Sequence, residues 1–408
     1  MTDPVLSRQY EGYPYPARDP RDEARRLVTG SPSHRDELNH FLFGGRLDFA
    51  RPLRILVAGG GTGDATVMLA QQFADVGSPA TILHLDLSAA SIEIARARVA
   101  ARGLSSVTFR QGSLLDLGPA GGPFDYIDCC GVLHHLEDPD AGLKALERVL
   151  APGGGMGVMV YAPYGRTGVY PLQDALRQLA GPDLPDAERI DLSRRLLRQL
   201  PATNGFRRNP HLADHAAGDA GLYDLLLHGR DRPYTVPELL AWVRGAGLEP
   251  TALIEPARYD PANLIGDPRL LKRLAPLDRD ARWALAERLA GNIRKHIVYL
   301  KRPAEVAGAV AVFEGPDDVP VLRGAEVEAL AKSLRPGAVP EVDLDGLALK
   351  LPLPRLAGPI LARADGVRSF GDIHRAVDPA MPWDRFAQQA QQVCDALVPM
   401  ASLFLRKA

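Results

Sequence analysis

The stretch from Ile55 to Ala70, ILVAGGGTGDATVMLA, restricts the fold more than any other part of the chain. Ile55 to Ala58 is short, apolar and branched, the pattern of a strand buried on both faces of a parallel sheet. The chain must then turn sharply. Gly59, Gly61 and Gly63 permit positive φ and close backbone approach, and Asp64 to Gln72 continues as a helix whose amino end points back at the glycines. Strand, glycine turn and helix in that order form a cradle for a nucleotide or nucleoside. The dinucleotide fingerprint wants glycine or alanine three residues after its second glycine. That position is Asp64, so the spacing is G-x-G-x-G and a nicotinamide cofactor is disfavoured.

The following segments repeat the strand and helix alternation. Thr81 to Leu85 reads as a second strand, Asp86 stands at its carboxyl end, and Ser88 to Ala101 has helical periodicity. A carboxylate about twenty residues beyond the glycines is placed to accept both hydroxyls of a ribose. SVTFRQGSLLDL supplies a third strand followed by Gly112, Ser113 and Leu114, where an adenine edge could lie. FDYIDCCGVLHHLEDP is the fourth unit, and Met156 to Ala162, after the turn Pro152 to Gly155, is the fifth.

A chain of 408 residues calls for two or three domains, and 46% apolar with 24% charged residues is ordinary globular composition. The formal net charge of −2 gives no footprint for nucleic acid or an anionic membrane. Three cysteines, two of them adjacent at Cys129 and Cys130, offer no disulfide framework and suit a reducing compartment. The first residues hold no secretory apolar core and no run is long enough to span a bilayer, so a cytoplasmic protein is expected.

Residues 1 to about 30 read as an extended arm in which Tyr10, Tyr13 and Tyr15 alternate with Gly12, Pro14 and Pro16. It serves either as an anchoring tail or as a lid over the glycine turn. A helix is expected from Ser33 to Phe43, ended by Gly44 and Gly45. Between Tyr164 and Arg232 the chain inserts helical segments and then a polar region with His211, Asp214, His215, Asp219, Tyr223, Asp224 and His228. His211 and His215 stand i, i+4, a spacing compatible with a metal, although no third ligand is fixed; a solvated cover or a substrate lid are the other readings. Thr235 and Glu238 form a capping-box pattern, and LEPTALIEPARY and NIRKHIVYLKR supply two last strands. After a linker the pattern restarts at Val321: helices near Ala325 to Leu334, Pro354 to Arg363, from Ser369 and from Pro382, with strands Leu347 to Leu351 and near Leu403. These helices with edge strands are similar to a small winged-helix module, whose few basic groups favour dimerisation or partner contact over nucleic acid.

VAGGGTGD, HLDLS, QGSLLDL, FDYIDCCGVLHHLEDP and ALERVLAPGG, in this order, resemble the ordered motifs of the class I S-adenosylmethionine-dependent methyltransferases over roughly residues 51 to 302. GVLHHLEDP is like members acting on small molecules and peptides, and the arm is like bacterial members with a YPYP-like segment. The resemblance implies an α/β fold: a doubly wound, seven-stranded Rossmann-like sheet over 51–302, an arm and cap helix over 1–50, a helical substrate lid at about 165–232, and a small α+β module over 303–408. It further implies that S-adenosylmethionine is the cofactor and S-adenosylhomocysteine the product. Gly59, Gly61 and Gly63 would contact the methionine part, Asp86 with Leu87 the ribose, and Ser113 and Leu114 the adenine, with Cys130 beside them. Many members carry an acid where this chain has Val57 and another where it has Ser113, so the cofactor's amino group and adenine amine need other partners here.

The sulfonium is already an activated methyl donor, so the protein must align an acceptor and remove its proton; no metal is demanded. His134 and His135 are candidate bases, with Tyr164 also near the reaction. Tyr13, Tyr15, Tyr161, Arg166, Tyr170, His211, His215, Tyr223 and His228 are candidate acceptor contacts, with Arg166 suited to a substrate carboxylate. The leading reading is methyl transfer to an O or N acceptor of a small metabolite. A peptide or protein acceptor docked by the last module, a nicotinamide-dependent oxidoreductase, and a non-catalytic adenosyl-ligand sensor are the alternatives.

Overall fold

The computed structural model describes residues 10–118, 121–324, 329, 334 and 339–407. The apolar run at Ile55 becomes β1 (Arg54–Ala58), whose last four residues are buried because it pairs on both sides, in parallel, with β2 (Thr81–Asp86) and β4 (Phe124–Cys130). Helix α1 (Arg35–Leu42) precedes it. The glycine turn leads into α2 (Asp64–Ala74), and α3 (Ala89–Ala101), capped by Ser88, connects β2 to β3 (Val107–Gln111). Helix α4 (Pro139–Arg148), capped by Asp138, leads to β5 (Leu150–Tyr161). The last strands are β6 (Glu249–Ile254) and β7 (Lys295–Lys301), an antiparallel pair. The sheet order is β3-β2-β1-β4-β5-β7-β6, the mixed seven-stranded arrangement expected. One strand start differs. The turn expected at Pro152 to Gly155 lies inside β5, because a register shift between Phe124 and Tyr126 of β4 absorbs the extra residues.

Two compact units emerge that do not follow chain order. The first holds residues 10–33, 49–247 and 291–296, and the second 34–48, 248–290 and 297–407. Within the first, the long insertion folds on its own apolar core. Val169, Leu172 and Leu176 of α5 (Val169–Leu179) meet Ile190 of α6 (Asp186–Gln199), Phe206 and Leu222. Helix α7 (Val236–Gly245) then begins with the capping box of Thr235 and Glu238.

In the second unit α1 buries Glu37 completely, which requires partners. Tyr299 Oη donates to Glu37 at 2.8 Å and Arg323 Nη1 at 2.5 Å. Helix α8 (Arg279–Ala290) belongs to this unit. Further along, β8 (Val319–Leu322) pairs with β11 (Leu403–Arg406), and β9 (Glu341–Leu344) forms a hairpin with β10 (Leu347–Lys350). Asp345 and Gly346 turn that hairpin with positive φ of 53° and 89°. Phe370 and Ile373 of α9 (Phe370–Val377) pack with Phe386, Val393 and Leu397 of α10 (Trp383–Leu397). The helix expected near Ala325 to Leu334 falls largely outside the described residues.

A buried ionic network fastens α3 to the segment before α1. Arg98, whose side chain is 1% exposed, donates to Glu23 at 2.7 Å, to Asp64 at 2.7 Å and to the Thr62 carbonyl at 2.8 Å. Without Arg98 the buried Glu23 keeps Arg102 and Asp64 keeps Arg18, so each carboxylate loses one of two arginine partners. Arg98→Met is therefore expected to lower stability by about 1–3 kcal/mol, read as a shift in the urea unfolding midpoint at unchanged slope.

Candidate functional site

The site begins where β1 stops. Gly59 and Gly60 both donate to the Leu85 carbonyl, at 2.8 and 3.0 Å, which folds the turn across the end of β2. Neither position has room for a side chain: a Cβ on Gly59, which also has φ of +73°, would lie 2.3 Å from Val132, and one on Gly60 would lie 2.4 Å from the His84 ring. Asp86 supports the turn from below. Its Oδ2 accepts from Gly61 N at 2.7 Å and its Oδ1 from Ser88 N at 2.9 Å, and burial raises its carboxyl above the ordinary range in spite of those bonds. Over this turn opens a cavity of about 330 Å³, within the range of small-molecule sites.

The arm covers the cavity. Thr62 Oγ1 donates to the Pro16 carbonyl at 2.7 Å, Arg18 grips Asp64 with two bonds of 2.8 and 2.6 Å, and the Glu11 carboxylate accepts from Ala89 N at the start of α3 at 2.5 Å. Tyr10, Tyr15 and Pro16 line the cavity in consequence, as do Val28 to Ser31.

The far end is built from the residues after β4 and from the insertion. Asp224 sits on a π-helical turn, Tyr223–Leu227, and accepts from Tyr161 Oη at 3.3 Å. Burial, reinforced by the neighbouring Asp231, pushes the Asp224 carboxyl up to about 7. His135 Nδ1 donates to the Arg230 carbonyl at 2.7 Å and its ring stacks on His228 at 3.8 Å. Burial, the largest cause in each case, lowers the pKa of His134, His135 and His228 and keeps the three rings neutral. Among the described residues His134 has no hydrogen-bond partner on either nitrogen. Arg166 lies over the Tyr161 ring at 3.7 Å and binds Asp231 at 3.0 Å and the Tyr170 hydroxyl at 3.0 Å.

Among the described residues two groups bring metal-type ligand atoms within 4.8 Å of one another: His134, His135 and Asp231, and His135, Asp224 and His228. Neither includes His211 or His215. In the second group His228 Nδ1 accepts from Arg230 N at 3.0 Å, which leaves its proton on Nε2, facing the Tyr10 hydroxyl at 3.1 Å. In the first, Asp231 is neutralised by Arg166 and also accepts from Gln173 at 3.1 Å.

A family model described as a methyltransferase domain matches residues 55–154. An uncharacterised protein of Synechococcus, syc1184_c, is 33% identical over 309 residues, covering 73% of this chain and 71% of its own. The chain belongs to the class I S-adenosylmethionine-dependent methyltransferases. The ubiquinone/menaquinone biosynthesis C-methyltransferase UbiE of Shewanella oneidensis is 30% identical over 115 residues, 28% of this methyltransferase and 45% of UbiE. In fold, PKMT2 from Rickettsia typhi has a TM-score of 0.64 at 16% identity, over 93% of this chain and 76% of that one. A second structure of PKMT2, in complex with AdoHcy, has a TM-score of 0.63 at 15% identity.

The residues present fit the family's cofactor. Gly59, Gly61, Asp86, Leu87, Ser113, Leu114 and Cys130 all line the one cavity. Gly63, with φ of +98°, stands instead at the amino end of α2. Of the expected acceptor and catalytic residues, Tyr15, Tyr161 and His135 line the cavity. His134 and His228 are buried beside His135.

Other expected contacts stand away from the cavity lining. Arg166 and Tyr170 are behind Tyr161, held by Asp231. Tyr223 bonds Arg189 and Asp186 and stacks on Tyr13 at 5.0 Å, so both rings serve the joint between arm and insertion. His215 packs edge-on against Phe206, His211 is fixed through its backbone to Asn209, and Tyr164 is 38% exposed. Tyr10 and Asp224, expected only as parts of the arm and of the insertion, also line the cavity, and Asp128 does so without having been singled out. Asp128 carried a readable signal, an acid between Ile127 and Cys129 in the buried middle of β4.

Because Asp86 both lines the cavity and holds Gly61 N, Asp86→Ala removes a carboxylate from the lining and loosens the turn. Calorimetric titration with S-adenosylhomocysteine is expected to show affinity reduced by about tenfold or more, with the fold retained by circular dichroism.

Proposed function

We propose that this methyltransferase acts on an O or N acceptor of a small metabolite, and that the acceptor atom is an amine nitrogen. The carrying observation is the lining of the far end, where the carboxylate of Asp224 meets Tyr10, Tyr15, Tyr161 and the neutral His135. These groups accept hydrogen bonds and carry no positive charge. Such a lining draws in an ammonium or amine and disfavours a carboxylate. Arg166, the cation expected to hold an acceptor carboxylate, has its charge committed to Asp231.

The bound cofactor supplies the activated methyl group. The chain's own part is to orient the acceptor lone pair and to take a proton. Asp224 suits the second task because its pKa of about 7 allows it both to hold and to release a proton near neutrality. Tyr161 Oη fixes the carboxylate, and His135, oriented by the Arg230 carbonyl, turns its other nitrogen to the same space. A peptide or protein acceptor would use the same reacting nitrogen and differ only in what extends beyond the cavity. The likeness to UbiE spans only 115 residues and carries no acceptor assignment.

The test is transfer from methyl-labelled S-adenosylmethionine to a panel of amines, amine-bearing peptides, phenols and carboxylic acids. Labelled amine products are expected, and labelling confined to acids or to carbon would overturn the proposal. For Asp224→Asn, kcat at saturating cofactor should fall by about 100-fold or more. A raised carboxyl is protonated and idle below its pKa, so wild-type kcat rises with pH through about 7, and the variant loses that limb.

A further inference from the structure

The cavity contains a carboxylate that neither the turn nor the acceptor end uses. Asp128 lies on β4 in register with Val57 of β1, so the two side chains emerge side by side from one face of the sheet. Val57 is a hydrocarbon and Asp128 is an acid with no exposure to solvent. Its Oδ2 accepts from Ser33 Oγ at 2.7 Å, whereas its Oδ1 has no hydrogen-bond partner among the described residues. The same cavity is also lined by Gly30, Ser31, Ala65 and Met68.

The cofactor ends in an amino acid, whose α-ammonium requires an acceptor when desolvated. Two acids near the glycine turn are already engaged. Asp64 is bonded by Arg18 and Arg98, and both oxygens of Asp86 accept backbone amides. Asp128 is left. Resting on the methyltransferase reading above, we propose that Asp128 is the acceptor for the α-ammonium of the cofactor's methionine part, a carboxylate standing on β4 where the neighbouring position on β1 holds Val57. Ser33 is then its positioning residue: the hydroxyl of the arm fixes one oxygen and leaves the other directed at the ligand. Burial that raises Asp128 to about 7, against the lowering bonds of Ser33 and Tyr126, is the state expected of an acid whose counter-charge arrives with the ligand.

The experiment compares S-adenosylhomocysteine with its deamino analogue, in which hydrogen replaces the amino group, by calorimetry on the full chain. Wild type should bind the amino compound about 10- to 100-fold more tightly. Asp128→Asn should bind both compounds about equally, at the affinity of the deamino analogue for wild type. A purely structural role would instead weaken both ligands together and preserve their ratio, which would overturn the proposal. Equal binding of the two compounds by wild type would also overturn it, without any variant. The exchange Val57→Asp with Asp128→Val provides a second reading: recovery of the preference supports the proposal, and a folded exchange protein with no preference opposes it. If wild type binds neither compound, the cofactor reading itself falls and takes this proposal with it.

Discussion

The closeness of the turn after β1 to its neighbours is the constraint on which the site depends. Val132 occupies the space a side chain on Gly59 would need, and His84 the space beside Gly60. These residues bring the ends of β4 and β2 against the turn, so the cavity floor is backbone instead of side chain. Backbone amides aligned at a helix start are suited to a polar ligand, and Asp86 fixes their direction by accepting from Gly61. His84 is neutral in this setting, since burial lowers its pKa to about 4, and Thr66 Oγ1 meets its Nδ1 at 2.8 Å. The ring therefore acts as a wedge that shapes the turn and adds no charge beneath it.

Four acids of the first unit are sorted by whether an arginine bonds them. Asp64 is bonded by Arg18 and Arg98, with its carboxyl held below the ordinary range, and Asp231 is bonded by Arg166. Asp128 and Asp224 have no such partner, and burial pushes each up to about 7. Four acids of one chemical type thus divide into two that hold the scaffold and two that stay available. The division is a consequence of placement. A buried carboxylate paired with a guanidinium keeps its charge, and one left with hydroxyl donors tends toward the neutral acid unless a ligand brings positive charge.

The cofactor half was legible because its signals are local. Strand, glycine turn, helix and a carboxylate at the next strand end follow one another within Ile55 to Asp86, and each is fixed by a few adjacent residues. The rest of the cavity lining was legible only in part. His135 and Tyr161 follow strands of the sheet and could be placed by topology, whereas Asp224 reaches the cavity through an insertion whose path no periodicity reveals. His211 and His215 looked eligible by spacing, but His215 turns to Phe206 to complete the insertion's packing. Arg166 looked available as a cation because Asp231, distant in sequence, was not visible as its partner. In the second unit the β9–β10 hairpin was not anticipated, because the alternating acids of β9 resemble a loop.

The arm links the two ends of the cavity. Near the cofactor turn it is held by Thr62 and by Arg18, and near the acceptor end by Tyr10 against His228 and Tyr13 against Tyr223. Between these holds Tyr15 and Pro16 face the cavity. The fastenings are side-chain hydrogen bonds, ring stacking and a partly exposed ion pair, contacts worth about 0.5–1.5 kcal/mol apiece and separable without unfolding the sheet. One segment before α1 thus sets Ser33 on Asp128 and Tyr10 beside His228, so the same stretch of chain orders a carboxylate of the sheet and a ring of the insertion around one cavity.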